Sequence, residues 1–584
     1  MATPQTPQTP SRGSVLKRYT PFIAVIVVLA VVVLVIALVS GGDDDNGGSV
    51  STNTDANGST GATDFSDVPI FYNEAKEKGT LDDYTWQDNC DTETGEVAIP
   101  ILNPPPCVPA AESDNGGETS PGVTADTIKI GIYSAKPDPV YDPILKAAGA
   151  YDTPDATYQG YKDYIDLYSN VYETYGRKIE LVRITGTGGS TDEVAAKADA
   201  DKFADAGVFA VLGGPAQARS FQAELASNKI LCVGGCVLAS PEKLLAQYSP
   251  YLWTAGGDPE GSSDTTTEWI SKQLAGKKAE FGGDDVKDKD RTFALLSYDT
   301  PDGEYKESWD RFYNLLKDAD VPMVGHVSYF LNPASLAADG RTIANKLKAT
   351  GATSIIFTGD PIFPSFLTPQ MTQQGYFPEW VMSGTVLADT VVFARKFDQE
   401  QWKHAFGLLA IPARVEKSQQ DAYTLHQWYF GTPPPTENNF ALLKGYTELL
   451  MTGIQLAGPK LTPETFRDGM YHLPPQTQGP KGLNTIVTWG DHGFREGTDY
   501  SGLDNAGLLY WDPNDEGPDE TGNEGKGMYR MVDGGKRYLL GQWPTEPIKM
   551  FDKASSVSIY EGSDVPAELL PKEQPVPAGA PAAK

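Results

Sequence analysis

Val208-Phe209-Ala210-Val211-Leu212-Gly213-Gly214-Pro215-Ala216-Gln217 decides how this chain is read. Five apolar residues make a run of the length of a strand buried on both faces, and two glycines end it. Pro215 suits the first turn of a helix, which the pattern carries from Gln217 to about Asn228. The unit is strand, glycine loop, helix. It recurs on both sides. Residues 128–133, 179–184 and 230–233 read as strands, and Ser190 to Glu193 has the spacing of a capping box opening an alanine-rich helix that stops near Gly207. A second set begins at Thr292, with strands over 293–297, 324–329, 354–358 and 380–383. Tyr305, Trp309, Phe312 and Leu316 recur at i, i+4, i+7 and i+11, one face of a helix within that set. Short apolar runs alternating with helices between about 124 and 550 predict an α/β fold with parallel sheets, and the break between the sets predicts two lobes.

The ends read differently. Residues 22–39 carry no charge and no hydrogen-bonding side chain, and at the helical rise they extend roughly 27 Å, close to a bilayer's hydrocarbon thickness. Arg12, Lys17 and Arg18 precede this run while Asp43, Asp44 and Asp45 follow it. The positive-inside rule then gives a cytoplasmic tail at 1–21, a transmembrane helix at 22–40 and everything beyond it outside the cell. A cleaved secretory signal is the other reading, with a mediocre small-residue site at Val39 and Gly41. Residues 41–63 have the Gly, Ser, Thr, Asn and Asp content of a flexible stalk. Residues 64–120 read as an appendage and linker, and the Pro- and Ala-rich tail at 551–584 reads as disordered after Leu570.

The chain has 47 basic and 78 acidic residues, a net charge of −31. So negative a surface repels phosphate backbones, so no nucleic-acid partner is expected. Four cysteines in an exported chain read as two disulfides. Of three possible connectivities the sequential one is expected, Cys90 with Cys107 and Cys232 with Cys236, the latter across Gly234 and Gly235. No histidine lies near any of them in sequence, which argues against zinc.

Ligands in open α/β sheets sit beyond the carboxyl ends of strands, which directs attention to 213–217, 299–305, 359–361 and 384–385. At the first of these, the glycines admit a ligand to the backbone and the amides of the helix start favour an anion. Enzymatic patterns are missing: there is no Gly-x-Ser-x-Gly, no His-Glu-x-x-His and no phosphate-binding P-loop sequence. The five histidines, at 326, 404, 426, 472 and 492, are scattered. No catalytic residue, metal or cofactor is expected. The run from Asp512 starts like a calcium loop but has Asn523 where the closing glutamate belongs, and it reads as a solvated acidic loop. Tyrosines 158, 161, 164, 168, 172 and 175 read as a helix packed on a lobe.

Together these segments resemble the type I periplasmic binding family, the branched-chain amino-acid-type substrate-binding proteins of ABC transporters. The residues that carry the resemblance are 122–131, Val211 to Pro215, Pro250 to Thr254, Leu295 to Asp299 with Tyr305, Gln374 to Pro378, Leu461 to Glu464 and Gly527 to Asp533, in that order over about 122–550. The resemblance implies two Rossmann-like lobes with three crossovers, 124–254 plus 386–485 and 255–385 plus 486–550. It also implies a small-molecule solute held in the cleft and passed to an ABC permease. By it the ligand-binding residues are Ala216, Gln217, Gly235 and Cys236 from one lobe and Tyr305, Asp360 and Thr385 from the other. Gln217 and nearby amides would hold a polar or carboxylate end, Tyr305 would cover an apolar face and Asp360 would accept from an amine or hydroxyl. The family's amino-acid binders place hydroxyl residues where this chain has Pro215, Ala216 and Cys236. The chain also lacks a lipid-attachment cysteine and has a long first loop, 134–149, with Lys136, Asp138, Tyr141 and Asp142, able to cover the cleft mouth. The runner-up function is a surface sensor or protein-interaction scaffold on the same fold.

Overall fold

Ser-Ile-Ile-Phe-Thr at Ser354–Thr358 is buried at every position, as a parallel strand covered on both faces must be. The computed structural model describes residues 65–111, 114–139, 141–148, 151–215, 218–236, 240–300, 303–332, 335–384 and 387–581. The expected cytoplasmic tail, membrane helix and stalk lie outside these. Among the described residues no helix is long and apolar enough to cross a membrane.

The appendage carries β1 (Cys90–Asp91) and β2 (Glu96–Val97), a two-stranded ribbon. The first large sheet comprises β3 (Thr127–Ser134), β4 (Lys178–Thr185), β5 (Ala210–Leu212), β6 (Leu231–Val233) and β7 (Leu252–Trp253). All its pairings are parallel, in the order β4-β3-β5-β6-β7. The second comprises β8 (Phe293–Tyr298), β9 (Met323–Tyr329), β10 (Ser354–Thr358), β11 (Glu379–Met382), β12 (Ala405–Leu409), β13 (Asn505–Pro518), β14 (Glu524–Val532), β15 (Tyr538–Leu539) and β16 (Ser556–Val557). Its parallel run is β9-β8-β10-β11-β12, and β13, β14 and β16 extend it antiparallel, so the sheet is mixed. Each parallel run thus has the order second, first, third, fourth, fifth. Every expected strand is present within two residues of its expected bounds.

Helices cover both sheets. In Pro154–Val171, Tyr161, Tyr164 and Tyr168 are buried in the core under the first sheet, so the tyrosine stripe is packing. The helices Asp421–Phe430, Phe440–Ala457 and Pro463–His472 add Leu425, Leu450, Ile454 and Phe466 to that core. In Lys306–Asp318, the expected face of Trp309, Phe312 and Leu316 is buried against the second sheet together with Tyr305. The appendage is docked on the first lobe, with Phe71, Val97, Ile99, Ile101 and Val108 in its core.

Four expectations need correction. The alanine-rich helix Glu193–Asp205 is capped by Asp192, whose side chain accepts from the Ala195 amide, and not by Ser190. The first lobe does not resume at 386: β12 is buried throughout and paired on both sides within the second sheet, so the chain returns only after Leu409. The second lobe extends past 550, because β16 pairs with β14. Nor is the tail disordered. Val565 and Leu569 are buried, the Gln574 carbonyl accepts from Trp428 Nε1 at 2.8 Å, and the Ala578 carbonyl accepts from Asn170 Nδ2 at 3.2 Å. The chain therefore passes between the lobes at 254–258, 410–420 and 473–504, and a fourth time along its tail.

Candidate functional site

In a sheet whose second strand lies on one side of the first and whose third lies on the other, the two following loops part and leave a crevice. Both sheets have one. In the first it lies between the ends of β3 and β5, where Ser134 and Gly213 stand; in the second it lies between β8 and β10, where Asp299 and Gly359 stand. The expected positions 216–217, Tyr305 and Asp360 follow these strand ends directly. Gly235, Cys236 and Thr385 follow the next strand over. Ala216, Gln217 and Thr385 lie outside the described residues.

The glycine loops of the first lobe are packed on each other. A Cβ on Gly214 would lie 2.7 Å from Cys236 Cβ, and Gly234, at φ +71°, would drive one to 2.2 Å from the Tyr446 ring. Cys236 is bonded to Cys232 and is 5% exposed, and Cys90 is bonded to Cys107, the sequential connectivity. Cys236 thus shapes the wall as a disulfide and offers no thiol. The chain-entropy model ranks the two bridges by loop size. Removing Cys90–Cys107, at a separation of 17, is expected to cost about 3 kcal/mol, and removing Cys232–Cys236, at a separation of 4, about 2 kcal/mol. Urea unfolding of the two double-serine variants checks the order. The smaller loss should be accompanied by the larger change in any ligand affinity, since only that bridge borders the crevice.

The amides expected to receive an anion are already engaged. Glu193 Oε1 accepts from the Arg219 amide at 3.0 Å and Oε2 from the Ser220 amide at 2.8 Å, so the helix Arg219–Ser227 has its positive end met by the protein's own carboxylate. Asp360 is spent as well. It accepts from Tyr329 Oη at 2.6 Å and from the amides of Ile362 and Phe363 at 2.7 and 2.9 Å, which fixes the turn into Pro364–Gln373. Burial raises its carboxyl above the usual range, against the pull of those donors. Tyr305 is buried at 6% exposure, its ring stacked on Trp309 at 6.0 Å, and burial pushes its hydroxyl up to about 12.

Sequence reasoning missed Arg219. From the first turn of its helix its guanidinium spans to the second lobe, where Nε donates to Glu304 Oε2 at 2.6 Å and Nη2 donates to Tyr305 Oη, while Nη1 donates to Ser240 Oγ of its own lobe at 3.1 Å. A cation there opposes the helix dipole, and that conflict is the signal that it needs an acidic partner elsewhere. One turn on, Gln222 is 1% exposed and neither of its amide atoms has a hydrogen-bond partner. Lys243 meets Glu307 at 2.9 Å beside this clasp, but both are largely exposed and the pair contributes little. From the long first loop, Lys136 Nζ reaches back to the Thr187 carbonyl at 3.1 Å.

Other candidates fall away from this place. A surface cavity of about 650 Å³ lies at the appendage, lined by Phe65, Glu74, Lys78, Tyr84 and His472 among others and by no residue of the two strand-end crevices. The acidic run is a β-hairpin and not a calcium loop. Asp515 is held by Arg530 and Lys553, Asp519 Oδ1 accepts from the amides of Thr521 and Asn523, and Glu520 accepts from the amides of Val391 and Val392. Among the described residues no three His, Cys, Asp or Glu side chains are grouped to hold a metal.

A family model described as periplasmic binding protein matches residues 147–497. No curated protein matches the sequence. Among solved structures, the chain is similar to a fatty acid ABC transporter substrate-binding protein from Thermomonospora curvata at 16% identity and a TM-score of 0.48, covering 71% of this chain and 94% of that one. It is similar to a solute binding protein of an ABC transporter from R. palustris in complex with 4-hydroxybenzoate at 14% identity and 0.47, covering 72% and 99%. A substrate-binding protein from Desulfitobacterium hafniense in complex with Leu stands at 13% and 0.41, covering 71% and 100%.

Proposed function

The chain belongs to the periplasmic binding protein family, and from that premise we propose that it captures a small polar solute between its two lobes for import by an ABC-type permease. The observation that carries the reading is the Arg219 clasp: the loops leaving the two strand-end crevices meet across the gap, one lobe supplying a cation and the other Glu304 and Tyr305. A solute entering there touches both halves at once, and closure about the crossings completes the cage. Its chemistry is binding without bond making. Two disulfides and the strongly acidic composition support a place outside the cell, with the folded part tethered through the N-terminal apolar run.

Thermal unfolding against a panel of organic acids, amino acids, sugars and polyols tests the proposal. A solute present at one hundred times its Kd stabilises by about 2.7 kcal/mol, a rise of several degrees. That rise should shrink in Arg219→Ala and Gln222→Leu. If no member of the panel raises the transition, solute capture is the wrong reading.

A further inference from the structure

We propose that the C-terminal tail is a strap that opposes opening of the two lobes. Its near end belongs to the second lobe. There β16 pairs with β14, and Tyr560 Oη donates to the Gly534 carbonyl at 2.9 Å. The next residues run beside the second crossing: the Tyr560 amide donates to the Arg414 carbonyl at 2.9 Å, the Glu416 amide donates to the Tyr560 carbonyl at 3.3 Å, and Gln419 Nε2 donates to the Gly562 carbonyl at 3.3 Å. Glu568 then accepts from the Lys481 amide at 2.9 Å, in the third crossing. The far end belongs to the first lobe, where Trp428 and Asn170 hold the carbonyls of Gln574 and Ala578 and Ala580 packs against the core.

One covalent segment is therefore anchored in both lobes and on two of the three crossings. Any rotation that separates the sheets moves the helix Asp421–Phe430 relative to β16, so it must release one end of the tail. Val565 and Leu569, buried midway, would be exposed by that release, which opposes it. The anchors on the first lobe are backbone carbonyls held by two side chains, fewer and weaker than the strand pairing at the other end. Release begins there, at Trp428 and Asn170.

The inference rests on the lobe motion of the proposed function but on no solute, so it is read without one. A protease site placed between Gly562 and Asp564, where the chain is exposed, lets the tail be cut after folding. The uncut full-length variant W428F/N170A is the second arm. The strap predicts a larger radius of gyration by X-ray scattering in either arm. It also predicts about tenfold faster hydrogen exchange at the amides of Glu416 and Lys481. An unchanged radius and unchanged exchange in both arms overturn it, and solute titration of the same samples reports separately on capture.

Discussion

Arg537→Leu is expected to lower the unfolding free energy by about 4 kcal/mol. The side chain is 1% exposed and places its donors on four oxygens. Nε donates to Asn505 Oδ1 at 2.8 Å, Nη1 to the Ile411 carbonyl at 2.8 Å, and Nη2 to the carbonyls of Ala410 and Asn505 at 2.9 and 2.7 Å. From the other side, Asp389 Oδ2 accepts from the amides of Ala410 and Ile411 at 3.0 and 3.2 Å. The first two residues of the second crossing are thereby fixed in both directions. Burial pulls the guanidinium down to about 9, which still leaves it charged at neutral pH. Leucine would fill part of the volume and abandon four buried acceptors, each costing on the order of 1–3 kcal/mol before relaxation. Arg537→Lys should rescue little, since an ammonium cannot reach four oxygens laid out for a planar fork. Urea denaturation of the two variants decides: a loss under 1 kcal/mol for leucine would show that the crossing is held by something else.

How much of this was legible in the sequence depends on whether the information is local. Each parallel strand is a continuous apolar run bounded by turn residues, and the periodicity of Trp309, Phe312 and Leu316 fixes the helix face they bury. Membership of a sheet is a different matter. Ala405-Phe406-Gly407-Leu408-Leu409 is equally apolar whichever sheet it joins, and its partner β13 lies about a hundred residues away, so no local pattern tells the return from the continuation. The tail misleads for a related reason. Proline and alanine content counts against a core, but docking through the carbonyls of Gln574 and Ala578 uses groups that every sequence has.

The site divides along the same line. Its location follows from strand ends, which sequence locates, whereas its chemistry follows from contacts across the gap. Gln217 drew attention as the polar residue opening the helix, yet the side chain that crosses is Arg219, two residues later. Asp360 has the right place and the wrong freedom, because a carboxylate beside a turn finds the turn's amides first. Glu193 answers the helix terminus for the same reason: a free amide cluster close to a folded carboxylate is filled from within.

The third crossing carries the other large effect, and its size depends on pH. Asp504 accepts from Thr488 Oγ1 at 2.8 Å and faces Asp499, whose own carboxylate accepts from the Ser501 amide at 3.0 Å and from Arg495 at 3.4 Å. Arg495 is further engaged by Asp258 at 2.7 Å and Glu242 at 2.8 Å, so its charge is divided among three carboxylates, and His492 nearby is pushed down by burial. Burial first, and Asp499 second, push Asp504 up to about 8. The native state therefore keeps a proton that the unfolded chain gives up near pH 4. Stability from this group is unaffected below that, falls as pH rises between about 4 and 8, and levels off once both states are ionised. Asp504→Asn keeps the acceptor toward Thr488 and cannot ionise. At pH 5 it should already be the more stable by roughly 1–2 kcal/mol, and at pH 9 by on the order of 5 kcal/mol. Chemical denaturation at the two pH values separates the outcomes. Equal offsets at both would mean that the two aspartates never share a proton, and that the third crossing is insensitive to pH.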